Sequence, residues 1–332
     1  MRDVARAAGV SLATVSYVIN RGPKPVGEDT RKRVVAAMHR VGYQAGQRTR
    51  AKTRTLTIGA IVPDPTNSFF TQVMAGVESV VEPPGHMLVV ASSDDDPERE
   101  LKALIALARA RVDGLILTPT GDVPDKVERI RSRGVSVVLM DRDGGDTHLS
   151  RVVMDNYGAA FRATRLLIES GHRRIALVNG PERISTARER LRGYRDALQK
   201  AGIKLDEAYV RLGPFTAEHG RQSTLDLLSL PKRPDAIFSS SVILTSGVLW
   251  ALRARRLRWP EDIAIVGFGD AAWAELVTPT LTVVEQPARQ LGEVAARLLL
   301  SSTGDSTAGQ QLVLESQLIL RESHRRLENG RG

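Results

Sequence analysis

The sequence predicts a small all-α helix-turn-helix head followed by an α/β body of two doubly wound parallel-sheet lobes. Three observations lead there: a two-helix pattern over residues 3–20, a basic excess confined to the first sixth of the chain, and short apolar runs alternating with amphipathic helices from residue 56 onward.

The head comes first. Val4, Ala5 and Ala8 give one helix a small apolar face, Gly9 permits a left-handed turn, and Ser11 stands where it can cap a second helix starting at Leu12. Val15, Val18 and Ile19 form the inward stripe of that second helix. Leu12, Ala13, Ser16 and Tyr17 are left on its outer side, the side a recognition helix turns toward a major groove. A third helix is expected over 28–41, with Val34, Val35 and Met38 inward and Gly42 as its stop, which closes a head over 1–43.

Charge points the same way. Residues 1–55 hold 12 Lys and Arg against three acids, a net +9 that equals the charge of all 332 residues; the remainder carries 35 of each sign. A basic head on a neutral body is the footprint of a module that neutralises phosphates. Residues 44–55 lack a large apolar side chain and read as a basic linker, in which Arg48, Arg50 and Lys52 are expected to touch DNA. The absence of cysteine excludes disulfides, thiolate zinc sites and cysteine nucleophiles. No apolar run is long enough to span a bilayer, so no membrane partner and a cytoplasmic protein are expected.

The body spans 56–324, ahead of a polar tail over 325–332. Strands are expected at 57–62, 87–91, 114–117, 135–140, 151–154, 175–178, 210–212, 236–238 and 263–266. Helices fall between most of them, among them 70–81, 97–108, 157–170, 186–201, 217–228 and 243–254. Ligands in such sheets bind at the carboxyl ends of the strands. Asp94, Asp95 and Asp96 precede Pro97 and read as a solvated loop at a helix start, and His172 as a helix cap beside Gly171. The histidines lack metal spacing, no phosphate loop is present, and Gly267-Phe268-Gly269 is only half of a dinucleotide fingerprint. No cofactor and no enzymatic activity are therefore expected.

An ordered series of short stretches resembles bacterial transcription regulators of the lactose-repressor type, the LacI/GalR family. In the head the series comprises Asp3-Val4-Ala5, Thr14-Val15-Ser16, Asn20, Thr30-Arg31 and Gly42-Tyr43. In the body it comprises Pro63-Asp64, Asn67 to Phe70, Asp155-Asn156, Gly171 to Ala176, Ala187 to Arg190, Gly193-Tyr194, Val266-Gly267-Phe268, Thr278-Pro279 and Gln286-Pro287. The resemblance implies a homodimer whose heads read a near-palindromic DNA operator. It also implies a periplasmic-binding-protein-like body in which a small-molecule effector, sugar-like or anionic, alters operator affinity. By position it implies that Leu12, Ala13 and Tyr17 face base edges, and that Ser11, Thr14, Ser16, Asn20, Thr30 and Tyr43 contact phosphates. It implies effector contacts for Phe69, Phe70, Asp141, Arg188, Phe215, Ser241 and Asp270.

The chain departs from that pattern in three places. It starts a few residues later than relatives of this type, with Met1 inside the motif. Ala45-Gly46 replaces the Pro-Asn that opens the family's hinge, and no Leu precedes Leu56 to wedge the minor groove. In the cleft, Ser241-Val242 replaces Asn-Asp, and Gly269 replaces the first Asp after Val-Gly-Phe. A cleft without those hydroxyl-binding groups predicts an unusual effector, or a regulator that uses none. A sugar-like binding protein without regulated DNA release is the alternative from another class.

Overall fold

The computed structural model describes residues 2–20, 26–40, 55–83, 85–301 and 309–326. Two compact units divide at residue 54. The first holds α1 (Arg2–Ala8), α2 (Leu12–Asn20) and α3 (Glu28–Arg40). Val4, Ala5, Ala8, Val15, Val34, Ala37 and Met38 form its core, with Val10 and Val18 packed at the edge. Gly9 adopts φ +64 in the turn between α1 and α2, a conformation that an L side chain disfavours. One expectation is corrected: Val35 faces solvent and Ala37 is buried, because 34, 37 and 38 share a face at helical spacing. The helix stop at Gly42 and the linker over 44–54 lie outside the described residues.

The first lobe of the body contains β1 (Thr57–Val62), α4 (Ser68–Val81), β2 (Met87–Ser92), α5 (Pro97–Arg109), β3 (Gly114–Leu117), α6 (Pro124–Arg131), β4 (Ser136–Asp141) and β5 (Ser150–Met154). The chain then enters the second lobe through α7 (Asn156–Glu169), β6 (Ile175–Asn179), α8 (Ser185–Lys200), β7 (Val210–Leu212), α9 (Ala217–Leu228), β8 (Ala236–Ser239), α10 (Val242–Ala254), β9 (Ala264–Phe268) and β10 (Thr282–Glu285). It returns through α11 (Ala288–Ser301) and β11 (Gln311–Leu314), and ends on β12 (Gln317–Ile319) in the second lobe. The lobes are therefore joined at 154–156, 285–288 and 314–317.

The first sheet runs β11-β5-β4-β3-β1-β2, every pairing parallel; the second runs β12-β10-β9-β8-β6-β7, with β12 antiparallel to β10. Each reverses strand order once, between β1 and β3 and between β6 and β8, and such a switch point leaves a crevice at the carboxyl ends of the strands. The strands read as almost unbroken apolar runs because helices cover both faces. Along β1, Ile58, Ala60 and Val62 enter the core beneath α4 and α11, whereas Ile61 enters the core beneath α5 and α6. The second lobe repeats this with Phe238 and Phe268 on one face and Ile237 and Ile265 on the other. Truncating one such buried side chain to Ala costs about 2–5 kcal/mol.

Local chemistry sets the helix starts at the cleft. The Asp96 carboxylate accepts from the Glu98 and Arg99 amides, at 2.7 and 3.3 Å, and caps α5. Those two backbone bonds hold its pKa below the ordinary carboxylate value. Asp94 pairs instead with the Arg99 guanidinium and Asp95 with Arg142, so each of the three acids has a structural role. The end of α7 is closed by backbone bonds, Gly171 N–H to Ile168 and His172 N–H to Leu167, with Gly171 at φ +93. The His172 ring plays no part in that cap; it turns inward, with Nε2 3.1 Å from the His324 carbonyl.

Candidate functional site

On the head, α2 presents its N-terminal turn outward. Leu12 is 46% exposed, Ala13 is exposed, and Ser16 and Tyr17 are half-buried beside the fully buried Val15. The Ser11 hydroxyl accepts from the Thr14 amide at 3.1 Å and lies 2.8 Å from the Thr14 hydroxyl, so the helix start is pinned by its own cap. Asn20 ends α2, and Thr30 sits half-buried in the first turn of α3. Tyr43, Arg48, Arg50 and Lys52 lie outside the described residues.

Between the lobes, the carboxyl ends of both sheets face one another across a cleft of two compartments. The inner one, about 50 Å³, is lined from the first lobe by Asn67, Phe69, Phe70, Asp141 and Arg142. The second lobe supplies Thr186, Arg190, Phe215, Ser241, Val242 and Gln286. The outer one, about 400 Å³, lies toward the crossing strands and is lined by Asp143, Arg151, Asp155, Tyr157, Glu189, Arg192 and Gln311 among others. Asp141 and Thr186 border both compartments.

Each wall follows from local structure. Phe69 and Phe70 open α4 behind the Asn67 cap and meet edge to face, centroids 5.0 Å apart at 72°. Asp141 ends β4 with φ +68, and the Arg142 amide bonds back to the Met140 carbonyl at 2.8 Å, a γ-turn that few non-glycine residues adopt. That turn separates three neighbours. Asp141 points into the cleft; Arg142 turns back into the first lobe, to Asp95 and, at 3.0 Å, to the Pro119 carbonyl; Asp143 reaches toward α8.

Arg190 is the buried cation that the second lobe brings to the cleft. Its Nε donates to Asn156 Oδ1 at 2.8 Å, Nη1 donates to the Ser240 carbonyl at 2.5 Å, and the guanidinium lies 3.9 Å above the Phe268 ring. Burial pushes its pKa down to about 10 while Asp141 acts to hold it up, so it stays charged at neutral pH. Burial raises the Asp141 carboxyl above its ordinary value, opposed by Arg142 and Arg190. Asp141 is only 6% exposed, and its nearest partner is Arg142 Nε at 3.9 Å, beyond hydrogen-bond range. A nearly buried carboxylate with acceptor capacity to spare faces the cavity.

Of the residues expected at the effector, the structure brings together Phe69, Phe70, Asp141, Phe215 and Ser241. Ser241 spends its hydroxyl on capping α10, accepting from the Leu244 amide at 3.2 Å. Arg188 and Asp270 stand outside the lining. Arg188 is half exposed and faces Asp143 at 3.5 Å, and Asp270 is bound by Arg321 at 2.9 and 2.7 Å. Arg190 takes the place in the cleft that Arg188 was expected to hold. On α8 the buried positions 187, 190, 191 and 194 form the inward stripe, and 188 lies off it. A charged residue on that stripe was the available signal. Asp155 caps α7 through the Gly158 amide at 2.7 Å while bordering the outer compartment.

Comparison with known proteins agrees with this anatomy. Residues 1–45 match the family described as bacterial regulatory proteins, lacI family, and residues 164–324 match a periplasmic binding protein-like domain. The ribose operon repressor of Escherichia coli is 36% identical over 96% of this chain and 98% of its own. Catabolite control protein A of Priestia megaterium is 34% identical over 97% and 98%. Among solved structures, a complex of the transcriptional regulator CelR with cellobiose has a TM-score of 0.74 at 35% identity, covering 97% of this chain and 98% of that one.

Proposed function

The chain belongs to the lacI family of bacterial regulatory proteins, and from that premise we propose that it is a homodimeric transcriptional repressor whose operator affinity is set by a small polyhydroxylated ligand held between the two lobes. The observation that carries the ligand class is Asp141, a nearly buried carboxylate that lacks a hydrogen-bond donor and stands beside the phenyl rings of Phe69, Phe70 and Phe215. The guanidiniums of Arg142 and Arg190 already have protein partners. The cleft therefore offers an acceptor and apolar rings more readily than a free cation, which favours a neutral sugar-like ring over an anion. Relatives named for ribose and crystallised with cellobiose support that class.

At DNA, Leu12, Ala13 and Tyr17 are assigned to base edges and Ser11, Thr14, Ser16, Asn20, Thr30 and Tyr43 to phosphates, with Arg48, Arg50 and Lys52 at the minor groove. Leu12 and Ala13 can only contact thymine methyls, so Tyr17 is the polar reader and DNA shape supplies the rest. Dimerisation is assigned to exposed apolar surface. Edge strand β2 presents Met87, Val89 and Val90, α5 adds Ile105, and the second lobe presents Trp250. A two-fold pairing there sets two heads about one helical turn apart. Among the described residues no helix is long and apolar enough to cross a membrane; we place the protein in the cytoplasm, with DNA, and assign the cleft to binding rather than catalysis.

The test is fluorescence anisotropy on labelled DNA from the region upstream of the protein's own coding sequence, with ribose or cellobiose added at millimolar concentration. A sugar should change the dissociation constant severalfold, and Arg190→Ala should remove that response while DNA binding persists. Identical curves with and without each sugar would contradict the ligand class, and an unaltered response in Arg190→Ala would contradict the site.

A further inference from the structure

Among the described residues, polar contacts bridge the two lobes on the rim of the cleft. Arg183, in the loop before α8, donates from Nη1 to the Thr120 carbonyl at 3.2 Å. The Asp143 amide donates to the Ser185 hydroxyl at 3.2 Å, and the Asp143 carboxylate faces Arg188 at 3.5 Å. Both sides of these contacts are braced. On the first lobe, the Thr120 amide is fixed by the fully buried Glu100 carboxylate at 2.6 Å, and Asp143 follows the γ-turn that anchors Arg142. On the second, all three partners fall within six residues at the start of α8, whose inward stripe is locked in the core.

We propose that Thr120 and Asp143 on the first lobe, with Arg183, Ser185 and Arg188 on the second, form a clasp that keeps the cleft closed before any ligand enters. A ligand then acts by altering the clasp's equilibrium, so clasp strength sets the resting operator affinity and the size of the response. The consequence at DNA rests on the function proposed above; the closed resting state does not. Arg188 and Asp143 are 49% and 40% exposed, so that pair is screened by salt and is the weak member. The hydrogen bonds to Thr120 and Ser185 persist at high salt.

The chain lacks cysteine, so two spin labels can be placed on the full-length protein without background. Lys102→Cys on α5 and Lys204→Cys in the second lobe are both exposed and lie outside the cleft lining. Double electron–electron resonance on the ligand-free protein should give one dominant short distance. Adding Arg183→Ala and Arg188→Ala should raise the ratio of long to short distances roughly tenfold, the effect of losing about one net hydrogen bond and a weak ion pair. Asp143→Asn should give a smaller shift in the same direction. A wild type dominated by the long distance would overturn the clasp, as would a double variant that melts normally with an unchanged distribution. Expected distances in a protein that fails to bind its upstream DNA would retain the clasp and reject the regulatory role.

Discussion

The side chain of Val242 occupies the space that any side chain on residue 269 would need. Gly269 has φ +91, and a Cβ built there would overlap Val242 Cγ2. Val242 and Gly269, two of the three cleft residues at which the sequence departs from the hydroxyl-binding pattern of its family, thus form one packing unit, of which Val242 lines the inner compartment of about 50 Å³. Gly269→Asp is expected to destabilise the protein by about 1–3 kcal/mol through backbone strain alone, with the overlap adding to it. Val242→Ala should relieve the overlap and leave the strain. In urea titrations, the double variant should be more stable than the sum of the single effects predicts.

Arg190→Ala leaves Asn156 Oδ1 and the Ser240 carbonyl without their donor and removes one of the two buried cations near Asp141. The expected cost is about 3–5 kcal/mol. Arg188→Ala removes an exposed pair and should cost less than about 1 kcal/mol. Denaturant midpoints for the two variants check the ordering.

In the second lobe two histidines are bonded in series: His172 Nε2 lies 3.1 Å from the His324 carbonyl and His324 Nδ1 2.7 Å from the Thr282 hydroxyl. Burial lowers both pKa values from the ordinary 6.5. The unfolded chain therefore takes up protons first as pH falls below about 6.5, and folding stability declines from there until the folded-state pKa values are passed. Urea midpoints should fall between pH 7.5 and pH 5. His172→Gln with His324→Gln should flatten that slope relative to wild type; equal slopes would contradict the assignment.

Much of this architecture is legible in the residues. Strands β1, β3, β4, β6, β8 and β9 are apolar runs buried on both faces, and they stand out without knowledge of their partners. The last three do not. Thr282–Glu285, Gln311–Leu314 and Gln317–Ile319 are short and part polar, and become strands through pairing with β9, β5 and β10 respectively, partners that for β11 and β12 come much earlier in the chain. The same reasoning separates the site residues. Aromatic and acidic residues just after strands mark the cleft, so Phe69, Phe70 and Asp141 are readable. The choice between Arg188 and Arg190 depends on helical phase, and Asp270 is removed by Arg321, a residue 51 positions away.

On the head, Ser11→Ala removes the bond from the Thr14 amide and should cost about 1 kcal/mol of stability. Tyr17→Ala should leave the fold intact and weaken binding to the upstream DNA about tenfold, with little change on a scrambled duplex. Equal losses on both duplexes would assign Tyr17 to the phosphates instead.

The measurement that tests the central claim most directly is an anisotropy titration of the full-length protein against its own upstream DNA and against a scrambled duplex, each at 50 and 200 mM salt. A DNA-reading regulator with this basic head should bind the upstream sequence more tightly, by roughly 10³-fold or more, with affinity that falls steeply as salt rises. Equal, weak binding to both duplexes at 50 mM salt would contradict the account.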